Sequence, residues 1–183
     1  FELGTFDFDC ERALDRCHAD GNPERVGKSE KGSFKDPDKS DLERFLDRFS
    51  WKQLAGDLFL IYEHGRIMLL LSRYYPGLVR QVRPVLQKEV ARRNDKGRGE
   101  EILSAIYSRI VLDMPPGSLE RMSKSDNAFI EKVTGSFARE MSENEDVETS
   151  ARVVALTYDD IEERLKHRYA GQEVKQDLFI CPF

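Results

Sequence analysis

Three groups of residues have types and spacings that could do chemistry, and each lacks a part that the chemistry requires. Asp36, Asp38 and Ser40 alternate ahead of a helix-like segment, as oxygen ligands do in a loop that wraps a calcium ion. The pattern then fails. Asp41 stands where a glycine must make the sharp turn, Glu43 where an apolar residue belongs, and Asp47 where a bidentate glutamate closes the site. Turn formation and capping account for these residues. Glu163 and His167 are four apart, which puts a carboxylate and an imidazole on one helix face. A metal site needs at least a third ligand and usually a second helix to supply it, and His18 and His64 have no such carboxylate spacing. An ordinary surface pair is the reading. Cys10 or Cys17 with His18 would be the raw material of a thiol nucleophile, without local support. The chain has no glycine-rich phosphate loop, G-x-S-x-G elbow or C-x-x-C pair. No catalytic residue, metal ligand or cofactor is assigned.

The string Arg121-Met122-Ser123-Lys124-Ser125-Asp126 resembles the KMSKS loop of class I aminoacyl-tRNA synthetases, a basic loop that steadies ATP phosphates. The resemblance covers six residues. It implies a dinucleotide-type fold and a HIGH motif near the start, and neither parallel strands nor that motif is present; His64-Gly65 is a two-letter match inside a helical stretch. The alternative is a polar helix entry, with Ser125 or Asp126 capping the helix that carries Phe129.

Charge is segregated along the chain although the net value is only −5, too small for a global drive toward nucleic acid or anionic membrane. Arg80, Arg83, Lys88, Arg92, Arg93, Lys96 and Arg98 are opposed only by Glu89 and Asp95. Such a stretch fits a solvated helix face or an acidic protein partner. It lacks the interleaved aromatics that stack bases, so nucleic acid is disfavoured, while lipid head groups are a further class of anion for it. Its counterpart is the acidic run Glu140, Glu143, Glu145, Asp146 and Glu148, suited to docking between unlike surfaces. Leu178, Phe179, Ile180 and Phe183 make an extended apolar C-terminal arm within residues 172–183, and Pro182 removes a ladder donor. These four residues and Arg80, Arg83, Arg92 and Arg93 are the candidate partner-binding set.

The elements that would position these groups are helices. A composition of 39% hydrophobic and 34% charged residues suits amphipathic helices better than thick buried strands. The longest apolar region, Leu58 to Leu71, is interrupted by Glu63, His64 and Arg66, so no membrane span is expected. Cys10, Ala13, Leu14 and Cys17 recur at helical spacing. Cys10 and Cys17 would lie about 10 Å apart on one helix face, beyond the roughly 7 Å that a disulfide allows. A polar loop follows at residues 22–39. Capping boxes at Ser40/Glu43 and Ser50/Gln53 open two helices, and the second continues or re-enters after Gly65 and stops at Pro76-Gly77. Leu78, Val79, Val82, Val85, Leu86 and Val90 read as one inward stripe, kinked or restarted at Pro84. Further stripes are Ile102 to Met114, then Phe129 to Met141. An acidic linker from Ser142 to Glu148 precedes Val154, Tyr158, Ile161, Leu165 and Tyr169. Ala151 to Leu156 alone could pass for a strand.

The expectation is an all-α protein: an irregular array of six to eight amphipathic helices in one domain, with extended arms at both ends. The opening on Phe1, without an initiator Met, points to a processed organellar (mitochondrial) or exported protein. The functional expectation is a non-catalytic interaction or scaffold protein, an accessory subunit contacting other protein subunits. The alternatives are a helical enzyme or ligand-binding domain with a dispersed site, and an exported effector that binds a host protein.

Overall fold

The computed structural model describes residues 8–18, 39–95, 101–115 and 122–168. They form seven helices and, among the described residues, no strand: α1 (Cys10–His18), α2 (Asp41–Leu46), α3 (Lys52–Tyr74), α4 (Pro76–Asp95), α5 (Glu101–Ile110), α6 (Lys124–Glu143) and α7 (Val147–Arg168). The chain is an all-α multi-helix array. Residues 22–38, Cys181 and the arm at 172–183 lie outside the described residues, as do Tyr169 and Arg121.

The two longest helices, α3 and α7, pack on one another and organise the rest. α1 and α6 also pack on α7, while α2, α4 and α5 pack on α3. α3 is buried on most sides between Leu54 and Met68, and α7 between Val147 and Tyr158, because each is covered from more than one direction. α4 rests chiefly on α3 and α5, so much of its circumference faces solvent.

Several sequence expectations hold in detail. Cys10, Ala13, Leu14 and Cys17 are all buried, and Cys10 and Cys17 are not bonded to each other. Ser40 caps α2 with a full capping box, its Oγ accepting from Glu43 N–H while Ser40 N–H donates to Glu43 Oε2 at 2.9 Å. α3 runs unbroken through Gly65, where neighbouring side chains come too close for a Cβ. A Cβ there would overlap the Ile110 Cγ2 methyl and lie 2.9 Å from Phe137 Cζ. Pro84 sits inside α4, and Ala151 to Leu156 belongs to α7.

Other boundaries differ, for tertiary reasons. Ser50 does not cap α3. The cap is Trp51, which has no side-chain cap bond. Instead the Trp51 N–H donates to Tyr158 Oη of α7 at 2.8 Å, and Ser50 Oγ donates to Glu162 at 2.6 Å. Gln53 reaches forward to Asp57 at 3.1 Å. A cap supplied through space replaces the local box. α6 starts two or three residues earlier than expected, with Ser123 as its cap. α5 ends at Ile110, before Met114; the chain turns there with Asp113 at a φ of 55° and Met114 N–H donating to Ser108 O at 3.1 Å.

Candidate interaction surface

Four of the five carboxylates of the acidic run are engaged within the chain, contrary to its reading as a docking surface, while Glu143 is exposed. Where α6 passes into α7, each of four carboxylates holds a basic residue or a helix end. Glu140 is buried and pairs with Arg152 at 2.9 Å. Glu145 receives both guanidinium nitrogens of Arg73 at 2.6 Å, and its carbonyl accepts from Arg66 Nη1 at 3.1 Å. Asp146 caps α7 by accepting from Thr149 N–H at 3.1 Å, and it also binds Arg16 of α1. Burial pushes the Asp146 carboxyl up, but the Arg16 and Thr149 hydrogen bonds outweigh it and hold the group below the usual carboxylate range. Glu148, almost fully buried, takes Arg12 at 2.8 Å. Periodicity cannot reveal this corner, because its partners lie on other helices: Arg12 and Arg16 on α1, Arg66 and Arg73 on α3, and Arg152 on α7.

Arg66 and Glu63 form the buried centre of the same corner. Arg66 donates Nε to Glu63 Oε2 at 2.8 Å and Nη2 to Oε1 at 2.6 Å, and Ser150 Oγ of α7 adds a bond to Oε2 at 3.0 Å. The two side chains are only 2% and 5% exposed. The pair lies within α3, and Ser150 Oγ of α7 and the Glu145 carbonyl link it to the neighbouring part of the chain.

Three more of the chemistry-bearing groups have structural partners, while Asp36, Asp38 and the His18 side chain lie outside the described residues. Glu163 and His167 make an exposed pair at 3.8 Å. His64 Nδ1 lies 3.2 Å from Tyr107 Oη, and burial holds its imidazole below the usual histidine range. In the Ser123–Asp126 string, Ser123 Oγ accepts from Asp126 N–H at 3.0 Å. Arg164 of α7 donates to Ser125 Oγ at 2.8 Å and to Asp126 Oδ1 at 2.6 Å. The Arg164 bond, opposed by partial burial and aided by Ser123, lowers the Asp126 pKa. Ser125 and Asp126 therefore tie α6 to α7 instead of capping it. Among the described residues no group of three His, Cys, Asp or Glu converges as a metal site, and no helix is long and apolar enough to cross a membrane.

Of the candidate partner-binding residues, Leu178, Phe179, Ile180 and Phe183 lie outside the described residues, as does the side chain of Arg93. Arg83 is drawn toward Asp113 at 3.4 Å, and Arg92 is held by Glu89 at 2.9 and 2.7 Å. Arg80 and Lys88 are exposed and carry no ion pair among the described residues.

The sequence reading missed an apolar surface beside them. Leu78 and Val85, expected to face inward, are 48% and 63% exposed, while Val79, Leu86 and Val90 of the same helix are buried. Tyr74 and Tyr75, at the joint between α3 and α4, are exposed as well. The signal was legible as an arc. At about 100° per residue, the six apolar positions of α4 spread over roughly 140°, wider than a single seam on α3 and α5 can cover. No protein-family model, curated protein or solved structure matches the chain.

Proposed function

We propose that this chain is a non-catalytic interaction protein, an accessory subunit that binds other protein subunits of a larger assembly. The observation that carries the reading is the placement of its exposed apolar side chains. Among the described residues six large apolar side chains are exposed, and four of them, Tyr74, Tyr75, Leu78 and Val85, fall within one short stretch of chain. Scattered exposed leucines are ordinary, whereas a concentrated apolar patch with a polar rim marks a contact surface. Tyrosine is also favoured at interfaces, since it couples apolar area to a hydrogen-bonding tip. The C-terminal residues Leu178, Phe179, Ile180 and Phe183 add a second apolar element on sequence grounds.

The test is purification of the tagged chain from its native source under mild conditions, followed by size exclusion and quantification of every co-eluting protein. The reading expects one or more partners at fixed stoichiometry through successive columns. Elution as a monomer, with no partner above substoichiometric levels, contradicts it.

A further inference from the structure

Resting on that reading, the structure assigns the outward face of α4 as the docking site for an acidic amphipathic helix of a partner protein. Leu78, Gln81, Val85, Lys88 and Arg92 follow one another at intervals of three, four, three and four residues, the spacing of a helix–helix seam. All five are exposed. They lie within an arc of about 80° and run some 21 Å along the helix, which matches a partner helix of about four turns. The inward side of α4 is already committed, through Val79, Leu86 and Val90, so this stripe is a second seam.

The character of the occupant follows from charge. α4 holds five basic residues (Arg80, Arg83, Lys88, Arg92, Arg93) and two acidic ones (Glu89, Asp95), a net of +3 in a chain whose total is −5. The stripe itself is apolar at its start, with Leu78 and Val85, and basic at its end, with Lys88 and Arg92. The complementary helix therefore presents aliphatic residues over Leu78 and Val85 and carboxylates over Lys88 and Arg92. That asymmetry sets its direction as well as its register. A second copy of the same face would bring two net-positive helices together. A lipid surface fits less well, because only two aliphatic side chains of the stripe, Leu78 and Val85, would enter it.

The experiment titrates the whole chain against a fluorescein-labelled amphipathic helical peptide, with leucines at three–four spacing and glutamates at the flanking positions. The controls are the same peptide with lysine for glutamate, and vesicles of phosphatidylserine and phosphatidylcholine. Anisotropy is expected to show saturable binding of the glutamate peptide at least about tenfold tighter than of the lysine peptide, weakening as salt screens the charges. V85E and K88E should each weaken binding about tenfold with the melting temperature unchanged, because these side chains are exposed. Any of four results overturns the assignment: no saturable binding, equal binding of the two peptides, preference for the vesicles, or variants that bind like the parent. These outcomes are separable from failure of the broader reading. A fixed-stoichiometry partner that survives V85E leaves the subunit reading intact and refutes the face.

Discussion

Removing the carboxylate of Glu63 tests the buried corner where α3 meets α7. In Glu63→Leu, Arg66 stays 2% exposed and loses two of its hydrogen bonds, at 2.8 and 2.6 Å, keeping the one to Glu145 O. Unsatisfied buried groups cost about 1–3 kcal/mol each, and breaking a buried ion pair from one side costs about 3–5 kcal/mol in all. With a urea m-value of about 2 kcal/mol/M, the midpoint should fall by about 1.5–2.5 M in a melt followed by circular dichroism at 222 nm. The double variant Glu63→Leu, Arg66→Met removes both charges. It leaves neutral groups such as Ser150 Oγ and Glu145 O to find new partners, so its cost should fall to about 1–2 kcal/mol. The double variant is thus expected to be more stable than the single one, a coupling visible only in a double-mutant cycle. A single-variant loss below about 1 kcal/mol, or a double variant at least as unstable as Glu63→Leu, would refute the reasoning.

Gly65→Ala should destabilise the chain by about 1–3 kcal/mol through overpacking against Ile110 and Phe137, outweighing a helix-propensity gain of about 1 kcal/mol. A denaturation midpoint at or above the parent's would show that the helices are not that close. Burial holds the His64 pKa below the ordinary histidine value of about 6.5, so the unfolded chain binds its proton first as pH falls. The stability His64 contributes is full above about pH 6.5 and is lost as pH drops through the folded value. Melting temperature should therefore rise from pH 5 to 7, and less steeply in His64→Gln; equal slopes would exclude His64 as the source. Tyr158→Phe removes the acceptor of the Trp51 N–H and should cost about 1–2 kcal/mol in a urea melt, with hydrogen exchange speeding up first at the start of α3. Unchanged protection there would mean that the through-space cap is unimportant.

The parts of the fold legible in the sequence are those where local spacing and tertiary demand agree. Cys10, Ala13, Leu14 and Cys17 share one face and that face is buried; Ser40 and Glu43 cap one another within four residues. The parts that escaped depend on contacts across long separations. Ser50 and Gln53 have the composition of a capping box, yet Tyr158 and Glu162, more than a hundred positions away, draw Ser50 off. The carboxylates of Glu145, Asp146 and Glu148 look like a solvated linker because their partners Arg73, Arg16 and Arg12 are remote in sequence. In α4 the period was read correctly. What the sequence could not show is how much of a wide apolar arc its neighbours would cover, and that uncovered margin is the candidate surface.

The most direct measurement of the proposed role is photo-cross-linking in the native source, with a photoreactive amino acid at position 85 and, as a control, at the exposed position 163 on α7. Docking on the outward face of α4 predicts a single discrete adduct to another protein from position 85, mapped to a helical segment rich in Asp and Glu, and none from position 163. Equal labelling from both positions, or an adduct from position 85 into residues 172–183 of the same chain, would contradict it.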